Sequence, residues 1–214
     1  MNVSDCWDES MRRSIQKDLR REQLLNAAAR LFSGKGFYNT YVDDIIKEAG
    51  IGKGTFYRNF KNKEELFVEL LSRFLLNWQE SVSLGVDCTT RQDYVRYIKR
   101  IARESFLFFR DHNDLSNLYF RLAPGLSAVI EPYLLNFEHL MLDILIEDFS
   151  KAQALGLIAK KADARLAANM IAGAFFRVHY YYCLMDSDAS RSYDIDHIVE
   201  QFTDYLFTGI LAAD

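Results

Sequence analysis

A chain of 214 residues, half of them apolar, can bury one substantial core, or a small module set on a larger domain. Two prolines, Pro124 and Pro132, and ten glycines are too few for a turn-rich all-β chain and favour long helices. The net charge of −4 is unevenly spread: residues 11–63 hold twelve Lys and Arg against five Asp and Glu, and residues 64–214 hold fourteen against twenty-two, so a small basic part meets a polyanion and the acidic body does not.

Residues 1–10, with three acids and no base, read as a disordered leader. A first helix is expected over 11–34, with Leu24, Leu25, Ala28, Leu31 and Phe32 on one stripe and Gly34 and Gly36 ending it. Thr40 reads as the N-cap of a short second helix, Tyr41 to Ala49, with Asp43 at N3 and Asp44 beside it. A third helix covers Lys53 to Asn59. Asn62 then caps a long fourth, with Glu65 completing a capping-box pattern and Leu66, Phe67, Leu70, Leu71, Phe74 and Trp78 forming its apolar face. Further helices are expected near 90–111, 113–122, 131–155, 162–185 and 194–212, about nine in all; Pro132 suits the first turn of one and Gly156 its end. Within 162–185, the stretch MIAGAFFRVHYYYCLM is apolar or aromatic almost all round and calls for burial on several sides. The predicted fold class is all-α: a three-helix head over 11–61 and a larger helical body over 62–214.

The two short helices meeting at Ala49-Gly50-Ile51 form a helix-turn-helix pattern, whose turn needs a residue with positive φ. Val42, Ile45, Ile46 and Phe56 are spaced to pack the pair together. With Phe56 and Phe60 inside, Lys53, Gly54, Thr55, Tyr57, Arg58 and Asn59 are left on the outer and N-terminal surface, as a helix entering the major groove requires. Gly54 costs a helix about 1 kcal/mol relative to alanine, and close approach of DNA would account for it. Lys63, in the first turn of the fourth helix, opposes the helix dipole, and a phosphate bound there would remove the conflict.

Residues 20–67 resemble the DNA-binding domain of the TetR (tetracycline repressor) family of bacterial regulators. The motifs that carry the resemblance are Leu25, Ala28 and Leu31-Phe32 of the first helix, Gly36, Thr40-x-Val42-x-Asp44-Ile45, Ala49-Gly50-Ile51, Lys53-Gly54-Thr55-Phe56-Tyr57, Phe60 and Lys63-Glu64-x-Leu66. The resemblance implies that Thr40 and Tyr57 hold phosphates, that Lys53, Gly54, Thr55 and Arg58 approach bases or backbone, and that Lys63 closes over a phosphate. Tyr41 stands where the family often has a second Thr, and Gly52 where it often has Ser.

The rest of the chain matches the family in length and helical character, which implies a body that dimerises and encloses an effector pocket. Helices 162–185 and 194–212 have apolar surface to spare for an intersubunit four-helix bundle, with Ala167, Ala168, Ala172, Gly173 and Ala174 permitting close approach, and a two-fold dimer would read a palindromic operator. Trp78, Phe106, Phe109, Phe120, Phe137, Phe176 and Tyr180 are candidate pocket walls, with His139, Asn169 or His179 to orient a small, largely hydrophobic or aromatic effector. The expected function is a DNA-binding transcriptional regulator, a repressor released by that effector; the alternative is a helical carrier of a hydrophobic small molecule with a vestigial DNA head.

No signal-peptide core opens MNVSDCWDES, no run approaches the roughly 18 apolar residues of a membrane span, and Cys6, Cys88 and Cys183 make neither a disulfide framework nor a CxxC site. A cytoplasmic protein is expected. The four histidines show no HxxxH or HExxH pattern, and P-loop and GxSxG motifs are absent; Gly50-x-Gly52-x-Gly54 lacks the strand that a dinucleotide motif needs. Catalytic residues, metal and cofactor are therefore not expected.

Overall fold

A computed structural model describes residues 3–82, 88–122, 130–185 and 194–208, and every regular element among them is helical. The helices are α1 (Val3–Lys35), α2 (Val42–Ala49), α3 (Lys53–Asn59), α4 (Lys63–Val82), α5 (Arg91–Asp111), α6 (Asn113–Leu122), α7 (Glu131–Ala154), α8 (Ala164–His179) and α9 (Ile195–Thr208). α8 continues as a π-helical turn over Tyr180–Met185. Because α1 is already helical at Val3, it takes in most of the segment expected to be a disordered leader. The end expected for the last helix, at 212, lies outside the described residues.

Local chemistry accounts for most helix ends. Gly36 closes α1 in the left-handed region at φ 82°, its N–H donating to the Phe32 carbonyl at 2.9 Å. Gly50, at φ 65°, does the same for α2 and sets the elbow into α3. The cap of α2 differs from expectation by one residue. Tyr41 is the N-cap, and the Asp44 carboxylate accepts its N–H at 3.1 Å, so Asp44 rather than Asp43 sits at N3. Asn62 caps α4 as the sequence predicts, its Oδ1 accepting from the Glu65 N–H at 2.8 Å, while the Glu65 carboxylate reaches back to the Lys61 N–H at 2.6 Å. Pro132 lies in the first turn of α7, and Gly156 follows its end at φ 73°.

One buried core runs without a break from head to body. Leu24, Ala28, Phe32, Phe37, Ile45 and Phe56 of α1–α3 join Leu66, Phe67, Leu70 and Phe74 of α4, then Phe109, Leu118, Ile130 and Leu134. Phe67 of α4 packs on Phe32 and Phe37, with ring centroids 5.2 and 4.7 Å away. Two smaller clusters complete the body: Ala102 and Phe106 of α5 against Ile195, Ile198 and Val199 of α9, and Tyr94 and Ile98 of α5 against Ala152 and Leu157. α8 is less enclosed than its composition suggests. It buries Ala168 and His179 but exposes Leu166, Met170, Gly173 and Ala174.

Candidate nucleic-acid interface and effector cavity

α3 presents two opposite faces. Phe56 and Phe60 are buried, whereas Gly52, Lys53, Gly54, Tyr57 and Arg58 are exposed and Thr55 is half-buried. Gly54 has ordinary helical φ, and a Cβ built on it would meet no protein atom within 4 Å, so nothing inside the molecule requires a glycine there. Lys53 reaches across the elbow to α2, with its ammonium 3.2 Å from Asp43 Oδ1. The guanidinium of Arg58 donates to Thr55 Oγ at 3.0 Å. Tyr41 is exposed at the start of α2.

Two residues expected at a phosphate stand elsewhere. Thr40 is fully buried, and its hydroxyl donates to the carbonyl of Gly36 at 2.8 Å, so in this conformation it ties down the α1–α2 turn and offers nothing to DNA. The one-residue shift of the cap causes this, since Tyr41 takes the outward position. The Lys63 ammonium donates to the carbonyls of Phe37 and Thr40 at 2.9 and 3.0 Å and lies 4.5 Å from the centre of the Phe37 ring. The dipole conflict at the start of α4 is thus relieved by carbonyls of the preceding turn, and the lysine pins α4 to the segment that leads into α2.

Nothing in the local pattern marks Arg21, yet it joins three elements. From α1 its Nε donates to Glu69 of α4 at 2.8 Å, its Nη1 donates to the Asn59 carbonyl at the end of α3 at 2.9 Å, and it stacks over Phe60. Arg73 of α4 pairs with both Glu69 and Glu22.

In the body, α4, α5, α7, α8 and α9 line a partly open cavity of about 330 Å³. Of the aromatic residues expected at its wall, Trp78 and Phe176 are there. Phe106 and Phe109 are buried in the core with His179, 5.9 and 5.1 Å from its ring, and do not line the cavity. Burial lowers the pKa of His179 to about 4, so the ring is neutral. Phe137 packs on Trp78 from a separate groove between α4 and α7. His139 and Asn169 are exposed on the surface, Asn169 donating to the Arg165 carbonyl, and Tyr180 stacks under Arg177; none of the three lines the cavity. The side chain of Phe120 lies outside the described residues.

The wall also contains Tyr97, Phe149, Phe175, Phe202 and Asp148, which sequence reasoning passes over. Asp148 carries a legible signal: it falls in the inward phase of α7 with Met141, Leu145, Phe149 and Ala152, an acid in an apolar stripe. It accepts the Tyr94 hydroxyl at 3.0 Å, and burial raises its pKa; burial likewise pushes Tyr97 up to about 12. Among the described residues, no group of three or more His, Cys, Asp or Glu side chains could hold a metal ion, and no helix is long and apolar enough to cross a membrane.

Residues 24–70 match the family described as bacterial regulatory proteins, tetR family. Along most of its length the chain is similar to the uncharacterized HTH-type transcriptional regulator YdgC of Bacillus subtilis (strain 168), with 28% identity over 89% of this chain and 83% of that protein. It is also similar to the fatty acid metabolism regulator protein of the same organism, with 25% identity over 91% and 97%. Among solved structures, a TetR-family transcriptional regulator from Syntrophomonas wolfei str. Goettingen superposes with a TM-score of 0.76 at 27% identity, covering 92% of this chain and 99% of that one. FadR of Bacillus subtilis, solved in complex with stearoyl-CoA, shares the fold with a TM-score of 0.73 at 21% identity, over 89% of this chain and 99% of that one. The helix-turn-helix built around Gly50 and these matches agree: residues 24–70 form a DNA-binding module of the tetR family of bacterial regulatory proteins, and the all-helical body behind it is similar to that of TetR-family regulators.

Proposed function

We propose that the protein is a cytoplasmic transcriptional repressor that binds a palindromic operator as a homodimer and is released by a small, largely hydrophobic effector. The observation that carries this reading is the outward face of α3, where Lys53, Tyr57 and Arg58 stand exposed around a glycine with no protein atom over it. Lys53 and Arg58 suit phosphates or guanine edges, Tyr57 suits a phosphate, and Gly52, Gly54 and Thr55 let the strand approach closely, with Tyr41 on the flank. The Lys53–Asp43 pair is exposed and worth at most about 1 kcal/mol, so a phosphate can displace it.

A second copy of the chain fits on α8. Leu166, Met170, Gly173, Ala174 and Tyr181 are exposed at helical spacings of three, four and seven, which makes one apolar stripe with small residues at its centre. A two-fold axis there would set two α3 helices in successive major grooves about 34–36 Å apart. α4 couples the two ends, because Trp78 stands at the cavity and Lys63 holds the turn before α2. An effector that prefers a shifted α4 by about 1–3 kcal/mol would change the spacing of the heads.

The test is fluorescence anisotropy on duplex DNA from upstream of the protein's own gene. Binding weakens steeply with salt, at about −0.9 in the log–log slope per neutralised phosphate, and Lys53→Ala and Tyr57→Phe each weaken it further. Binding equally tight at low and high salt, or unmoved by both substitutions, overturns the proposal; the second outcome favours a ligand carrier with a vestigial head.

A further inference from the structure

The cavity's chemistry is lopsided. Among the described residues, its wall holds one acid, Asp148, the neutral Gln79 and Ser105, and no Lys, Arg or His. Ser105 is engaged by the indole N–H of Trp78 at 3.1 Å. Asp148 is bonded by phenols and not by a base: Tyr94 donates to it at 3.0 Å, and Tyr97 is a second donor. Two cations whose charge reaches this group, Lys151 acting on Asp148 and Arg100 acting on Tyr97, lie on the outer surface. Lys151, one turn further along α7, is exposed with its ammonium 2.7 Å from Glu147, and Arg100 is exposed on α5, where its charge acts on Tyr97.

The rest of the wall is apolar, with six aromatic rings, Trp78, Tyr97, Phe149, Phe175, Phe176 and Phe202, among aliphatic side chains such as Ile101, Ile144 and Leu145. Ring faces attract positive charge, most strongly where water is excluded. A half-buried carboxylate in the same space repels an anionic head group, offers little to a neutral chain, and gains most from a desolvated cation. The volume, about 330 Å³, is at the lower end for drug-sized ligands.

We propose that the effector is a lipophilic cation, an amine or quaternary ammonium on an apolar body, with its charge between Asp148 and the aromatic rings of the cavity. This rests on the reading of the cavity as the effector site. It sets this chain apart from a protein that takes an anionic conjugate such as stearoyl-CoA, since no cationic side chain among the described wall residues would pair with a phosphate or carboxylate.

The test is calorimetric titration of the full chain with decyltrimethylammonium, decanol and decanoate, each below its aggregation concentration. The cation binds at least about tenfold tighter than the alcohol or the carboxylate, the scale of a cation–π contact in a site that excludes water. Asp148→Asn erases the preference. The order of affinities in the unaltered protein is read without any variant, so it decides the matter even if the variant is unstable. Decanoate or decanol binding as tightly as the cation, or cation binding that Asp148→Asn leaves intact, overturns the charge assignment while the cavity stands as an effector site. If none of the three binds, the cavity reading itself falls.

Discussion

His179 allows the enclosure of the body to be measured as a titration. Its ring is fully buried against Phe106, Phe109 and Phe175, and burial lowers its pKa from 6.5 to about 4. Below pH 6.5 the unfolded chain takes up a proton that the folded chain refuses. The stability linked to this residue is therefore complete above that pH and is lost as pH falls toward 4. Linkage between these two values gives a loss of about 2 kcal/mol between about pH 8 and about pH 5, rising to about 3 kcal/mol at pH 4. The assay is urea unfolding of the wild type and of His179→Leu, of similar volume, across this range. A packing cost in the variant shifts its curve by a constant and leaves the slope untouched. Asp148 titrates in the opposite sense, because its folded pKa is raised and its contribution is lost as pH rises, but it is common to both proteins and cancels in the difference. Wild type and variant losing stability in parallel between pH 6.5 and 4 would refute a neutral, buried imidazole.

Three further outcomes are expected. Gly54→Ala raises thermal stability, by up to about 1 kcal/mol from helix propensity, while duplex affinity drops; calorimetry and anisotropy read the two, and unchanged affinity would leave the glycine without a DNA role. Thr40→Val costs about 1 kcal/mol in urea unfolding by removing the bond to the Gly36 carbonyl, yet keeps the salt slope of DNA binding; a slope reduced by about one phosphate would return Thr40 to the interface. Met170→Lys puts a charge in the apolar stripe of α8 and converts the proposed dimer to monomer in analytical ultracentrifugation, with operator affinity falling in step; an unchanged sedimentation coefficient would move the interface elsewhere.

Most helices are legible in the sequence because their signals are local. Gly36, Gly50 and Gly156 occupy the left-handed positions that glycine best tolerates, and Asn62 caps α4. The failures are failures of locality. Thr40 looks like an N-cap by type and position, but the turn before α2 is set by Phe37 entering the core, and a one-residue shift carries the threonine in and Tyr41 out. Lys63 looks like an unsatisfied charge because the carbonyls that satisfy it belong to residues 37 and 40. The cavity was harder still. An aromatic on an apolar helix face fits core and wall equally well, and the packing of five helices decides which; so Phe106 and Phe109 lie in the core and Phe175 and Phe202 at the wall.

The rings of Phe32 and Phe37 rest on Phe67, a residue of α4. A fragment cut at residue 61 would strip that cover away and set two phenylalanines in water. Transplanting this reading head onto a different sensor therefore calls for a splice beyond Leu75, the last buried residue of α4, so that the transplanted piece brings its own roof.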